Sequence, residues 1–197
     1  MSFQVTRDGT YVGSVGADGK RFVDDSVLPT VTYRYEVEGV ASEARSNPAP
    51  VRVKTPKAPL GVARLQGVFN VRFVKTSSYG VNGIPEKTSQ GWRFTPKCDA
   101  GACTTEWNDI HWKALGGTLK RTGASYSATT TVHGFLQCSG TPSTSSYTVK
   151  LHVTKAATVK DAWRVTGFAG TVTTYDAAQL GCRSSSITYS ISGALAR

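Results

Sequence analysis

The residues with which this chain could do chemistry are its four cysteines, three histidines and four tryptophans. Cys98 and Cys103 give a C-x4-C spacing that falls inside the range of a zinc knuckle. A structural zinc site needs four ligands, however, and Cys138 and Cys182 stand far from that pair and from each other, with no histidine at knuckle spacing. Thioredoxin-type exchange needs C-x-x-C at the start of a helix, and neither is present. A structural clasp fits better. If "DAGA" is the four-residue turn of a hairpin, Cys98 and Cys103 face each other across an antiparallel ladder, where Cα separations of about 4.5–5.5 Å lie within disulfide range. Four cysteines allow three pairings; Cys98 with Cys103 is the first choice, and Cys138 with Cys182 follows by elimination. The chain-entropy model assigns about 2 kcal/mol to the short loop and about 4 kcal/mol to the long one.

His111, His133 and His152 could in principle converge on a catalytic metal, but alternation along the strands argues otherwise. His133 shares a face with Thr129 and Thr131, and His152 lies opposite Leu151 and Val153, so both are expected on the solvent side. His111, in line with Trp107 and Asp109, is the one histidine placed to join a ligand site. No G-x-S-x-G, S-x-x-K, H-E-x-x-H or phosphate-binding glycine loop occurs. Glu106 and Asp109 fall on opposite faces of a strand and make a poor acid–base pair. The expectation is a protein that is not an enzyme and uses no metal and no cofactor. The aromatics are the better lead. Trp92, Trp107, Trp112 and Trp163 could form a sugar-stacking platform or line a cavity, the competing expectation being that they are core. With His111 they are the candidate ligand-binding residues.

The elements that must hold these side chains are strands. Thr, Ser, Gly, Val and Tyr dominate, and no window sustains the i, i+3, i+4 apolar spacing of a helix, so the chain reads as all-β. Candidate strands cover 65–73, 90–98, 103–112, 117–121, 125–136, 145–155, 162–174 and 185–195, each bounded by Gly, Ser, Pro or Asp turns. The inward sets include Leu65, Phe69, Val71 and Phe73; Tyr147, Val149, Leu151 and Val153; and Ile187, Tyr189, Ile191 and Leu195. Eight such strands suit a closed antiparallel barrel whose first and last strands pair, with a two-sheet jelly roll as the alternative. The opening "LQGVFNVRFV" is similar to the G-x-aromatic start of calycin and lipocalin-like barrels. The segment as a whole resembles β modules of secreted bacterial proteins.

Residues 3–55 carry a different pattern. "FQVTRDG", "FVDDSV", "VLPTVTYRYEVEGV" and "PVRVKT" resemble the C-terminal half of a fibronectin type III domain, an immunoglobulin-like sandwich. Tyr33, preceded by Leu28 and Pro29, matches that family's corner tyrosine. The family's opening strands and core tryptophan have no counterpart, so the chain reads as a fragment of a longer protein. The expected organisation is a partial sandwich over 1–55, a proline-containing linker over 56–64 and a disulfide-stapled barrel over 65–197.

The net charge of +10 is uneven: residues 1–60 hold 8 Lys+Arg against 7 Asp+Glu, and the remainder holds 15 against 6. Such a field favours polyanions, although scattered cations also keep a β surface soluble. An RNP-type strand or basic helix is missing, so nucleic acid is not an expected partner. No run is long enough for a membrane span, and the first residues lack a signal-peptide pattern. The disulfide reading nevertheless points to secretion or the cell envelope. The leading expectation is a monomeric, non-catalytic binding or adhesion module whose extracellular ligand is a polysaccharide or an anionic envelope polymer. The alternatives are a carbohydrate-binding accessory of a polysaccharide-degrading enzyme and a lipocalin-like carrier.

Overall fold

A computed structural model describes residues 1–99, 101–138, 141–178 and 183–196, without the side chains of 134–143. Two compact units emerge, one comprising Met1–Ala58 and the other chiefly Pro59–Val159 and Trp163–Arg197.

The first unit is a single antiparallel sheet. Strands β1 (Ser2–Arg7), β2 (Thr10–Gly16), β3 (Thr32–Ala41), β4 (Ala44–Arg45) and β5 (Ala49–Lys54) arrange with β1 between β2 and β3, while β4 and β5 both pair with β3. Asp8 and Gly9 have φ of 50° and 82°, the left-handed pair that a two-residue hairpin turn needs to match strand twist. Between β2 and β3 the segment "FVDDSV" forms no strand. Its Asp24 instead collects the Arg7 guanidinium at 2.7 Å, the Tyr35 hydroxyl at 2.9 Å and the Ser26 backbone amide at 3.0 Å. The Tyr33 hydroxyl accepts a hydrogen bond from the Leu28 amide at 2.9 Å, pinning the chain as it enters β3.

The second unit closes. Strands β6 (Gly67–Tyr79), β7 (Lys87–Pro96), β8 (Thr105–Asp109), β9 (Gly116–Thr122), β10 (Ser125–Cys138), β11 (Thr141–Val159), β12 (Ala162–Asp176) and β13 (Ser185–Leu195) follow one another around an antiparallel barrel. Each strand neighbours its successor, and β13 returns to β6 with Ile191 opposite Phe73. The eight expected strands are all present, and the ring replaces the jelly-roll alternative. A closed sheet has no free edge, and eight strands leave an interior just wide enough for side chains to fill.

Alternation determines what fills it. Phe69, Val71, Phe73, Trp92, Phe94, Trp107, Leu119, Val149, Leu151, Val153, Val165, Val172, Ile187 and Ile191 are buried. Their chain neighbours Asn70, Arg72, Arg93, Glu106, Lys120, Lys150 and His152 are exposed. The linker expected over 56–64 ends early. A 3₁₀ turn at Leu60–Val62 leads into Ala63 and Leu65, each 1% exposed, and Arg64 forms a parallel bridge with Arg164. Buried Ala63 and Leu65, with the Arg64 backbone bonded to Trp163 and Val165, seat this stretch in the barrel unit.

Candidate functional site

The sequence nominates five ligand residues, and the barrel separates them. Trp92 and Trp107 come from neighbouring strands β7 and β8, both pointing inward, with ring centroids 4.6 Å apart. Trp92 also meets Phe73 edge-on at 5.5 Å, and Trp107 stacks on Tyr147 at 5.8 Å. Exposures of 0% and 2% leave neither indole a face for a sugar in solvent to stack on. Trp163, 8% exposed, lies at the opening of β12 and donates its indole N–H to the Pro59 carbonyl at 3.3 Å.

His111 and Trp112 leave the strand face altogether. Strand β8 ends at Asp109, whose buried carboxylate oxygen Oδ1 accepts the backbone amides of both His111 and Trp112 at 2.8 Å. This short polar side chain turns the backbone, so His111 becomes exposed instead of continuing the inward line of Trp107 and Asp109. Trp112 is half-buried at the same turn, which makes it the most open of the four tryptophans. Nearby Tyr147 has its phenol pushed above the ordinary range by burial and then by the Asp109 carboxylate, so it stays protonated at any physiological pH.

Cys98 and Cys103 are joined as a disulfide with Cα atoms 6.2 Å apart. Their loop is also held by two arginines, and Arg64 donates Nη1 to the Asp99 carbonyl at 2.5 Å. Arg64 donates Nη2 to the Cys98 carbonyl at 2.7 Å, and Arg121 donates Nη1 to the Ala102 carbonyl at 3.0 Å. These arginine bonds all go to backbone carbonyls, which is the work of a clasp. The expected Cys138–Cys182 pairing lies outside the described residues.

A site that sequence reasoning missed sits on the outside of the barrel. Two adjoining grooves, of about 410 and 400 Å³, share Lys120, Ser127 and Lys150 among their walls. Strand register explains why these three meet: Ser127 on β10 is directly opposite Lys120 on β9 and Lys150 on β11. All three side chains point outward in one row across three strands. The next row places Ser125 between Thr122 and His152, with the Ser125 hydroxyl 3.4 Å from His152 Nδ1. On the other side Thr129 and Thr148 face each other, their hydroxyls 3.0 Å apart. Among the described residues no carboxylate lines either groove and neither Lys120 nor Lys150 is ion-paired. Gly170 also forms part of the wall, where a Cβ would overlap the Lys150 carbonyl oxygen.

The signal for this row was in the sequence. "TLKRTGASYS" reads as a hairpin around Gly123, and continuing its register would have set Lys120 beside Ser127. Lys150 needed the register of β10 with β11, which shifts between His133 and Gln137 before Ser127 meets Lys150.

Compared with protein-family models, curated proteins and solved structures, the chain matches none. Among the described residues no cluster of His, Cys, Asp and Glu is arranged to hold a metal, and no helix is long and apolar enough to cross a membrane.

Proposed function

We propose that this chain is a non-catalytic binding module of an extracellular or envelope-associated protein, and that its barrel meets a polymeric ligand on the outer face of β9–β12. One observation carries the reading: the large rings are packed against one another inside, while the outer sheet presents rows of hydroxyls and amines. Phe69, Phe94 and Phe168 join the same ring network at centroid distances of 5.3–5.7 Å. That packing counts against an apolar carrier, whose ligand would have to displace these contacts. The Cys98–Cys103 disulfide supports an oxidising compartment. The single sheet around β3 and the Tyr33 hydroxyl bond support kinship with fibronectin type III domains for residues 1–55. The closed meander supports the lipocalin-like comparison in architecture.

A second reading, the carbohydrate-binding accessory, rests on Trp112, whose ring is the one tryptophan with substantial exposure. Retention of the full chain on insoluble cellulose, chitin and purified bacterial cell walls tests both. The outer-face reading expects retention on at least one of these that Trp112→Ala leaves unchanged. Loss of retention in that variant favours the accessory reading, and failure to bind any of the three, or any soluble anionic polymer, overturns the module altogether.

A further inference from the structure

We infer that the Lys120–Ser127–Lys150 row is a binding site for a linear phosphate polymer, such as polyphosphate or a polyol-phosphate chain. The inference rests on the binding-module reading and names its ligand class. The argument begins with register. Lys120 and Lys150 flank Ser127 on either side, so their backbones are two strand spacings, about 10 Å, apart. Both ammonium groups ride on flexible four-carbon stems and can converge above the Ser127 hydroxyl. One anion there would receive two charge-assisted hydrogen bonds and one from the hydroxyl.

Two like charges beside one another with no compensating carboxylate in the groove are unfavourable when the site is empty. An anion held between them would take up both charges, which no carboxylate among the described lining residues does. The flanking hydroxyls extend the surface in both directions along the strands: Ser125 and Thr122 on one side, Thr129 and Thr148 on the other. A chain with a charge on each short repeat can therefore run along the groove, replacing water on polar groups that are already outward and solvated. The chemistry is that of phosphate oxygens; it does not read bases. Of the larger aromatics the first groove has Tyr126, which is 2% exposed and offers no stacking surface. That leaves the His152 imidazole as its one exposed ring among the described residues, against the rows of rings on single-strand nucleic-acid platforms.

The test is titration calorimetry of the full chain at physiological ionic strength with soluble inorganic polyphosphate. Poly(glycerol phosphate), dextran sulfate, a single-stranded thymidine homopolymer and neutral dextran serve as comparison arms. Lys120→Gln/Lys150→Gln is set against Lys87→Gln/Arg93→Gln, which removes the same charge from exposed positions on β7 outside the groove. Support is polyphosphate binding that weakens on the order of tenfold in the first pair and less than about twofold in the second, with thermal melts unchanged. Polyol phosphate binding more tightly than polyphosphate assigns the source to a diester polymer, and the reverse order assigns it to polyphosphate; either supports the site. Equal weakening in both pairs would mean that only the barrel's overall positive field attracts the polymer, overturning the inference. Tighter binding of the thymidine polymer or of dextran sulfate overturns it in favour of nucleic acid or a sulfated glycan. Binding to neutral dextran or to the insoluble polysaccharides, without any to polyphosphate, overturns the phosphate assignment while the module reading stands. Absence of binding in every assay overturns both.

Discussion

In the barrel Phe69, Trp92 and Val149 have no exposed surface, whereas in Met1–Ala58 Val51 and Val53 keep 49% and 42% of theirs in water. Both units are antiparallel sheets of alternating sequence, and the difference lies in closure. Wrapping a sheet onto itself lets each inward side chain meet partners from opposite strands. In the open sheet the described residues of the same unit that face the inward side chains come from one connecting segment. Along that open face Val5, Val37, Val51 and Val53 join Phe22 and Val27 around a trough of about 780 Å³. Among the described residues of this unit Val5 is the one apolar side chain buried as deeply as the barrel core. Similar alternating patterns thus give different burial, because burial depends on what the second layer is.

The contrast is sharpest under truncation. Trp92→Ala should destabilise the barrel by about 3–5 kcal/mol, since it removes a fully buried ring that contacts Phe73, Phe94 and Trp107. Val51→Ala should cost about 0.5 kcal/mol, as at an ordinary surface position. All four tryptophans lie beyond residue 90, so denaturant unfolding followed by indole fluorescence reads the barrel alone. Hydrogen exchange of the β3 and β5 amides reads the other unit. Comparable losses at the two positions would dissolve the distinction.

A second break targets the closeness that closure demands. A Cβ on Gly170 would overlap the Lys150 carbonyl oxygen, and a backbone atom cannot swing aside as a side-chain tip can. Gly170→Ala should therefore cost toward the upper end of about 1–3 kcal/mol, with exchange protection lost along β11 and β12 first. Gly9 offers the control in the open sheet. Its Cβ would meet nothing within 4 Å, yet its φ of 82° strains any other residue, so Gly9→Ala should cost less, and through the turn alone.

How far these differences were legible beforehand follows from what local pattern encodes. Inward and outward faces were readable, because Tyr147, Val149, Leu151 and Val153 alternate strictly and the pleat has a period of two. The disulfide between Cys98 and Cys103 was readable because its partners sit in one short loop. Ring closure was legible as a strand count. The end of β8 was not, because it turns on one aspartate accepting two amides, and the "WNDIHW" pattern alternates straight through it. The outer lysine row was missed for a related reason: a row perpendicular to the strands depends on register between residues 23 and 30 positions away from each other, which no window along the chain contains.

Removing the clasp gives the next smaller effect. Cys98→Ser/Cys103→Ser should lower barrel stability by about 2 kcal/mol, the chain-entropy cost for so short a loop. Arg64 and Arg121 continue to hold the Cys98 and Ala102 carbonyls, so the loop keeps its place in the folded state. The expected signature is a lowered midpoint with unchanged exchange protection in β7 and β8. A collapse of the whole barrel transition would show that the covalent bond, and not the arginine bonds, sets the loop's geometry.

The smallest effect belongs to the open sheet and depends on pH. Asp24 has its carboxyl lowered to about 2, chiefly by the Ser26 hydroxyl and also by the Ser26 amide, the Tyr35 hydroxyl and the Arg7 charge. A carboxylate whose folded value lies below its unfolded one favours the folded state at every pH above the unfolded value, near 3.8. That contribution is lost as pH falls from about 4 toward 2, since the unfolded chain takes up the proton first. The Met1–Ala58 sheet should therefore loosen through this window by way of Asp24, with β1 and β3 amide signals broadening together. Asp24→Asn should weaken the sheet already at neutral pH and flatten its response to acid, because the amide no longer titrates. The Cys98–Cys103 loop should be indifferent to that substitution. If the Asn variant and the parent lose the β1 and β3 signals at the same pH, the charge on Asp24 is not what ties the open sheet to its connecting segment.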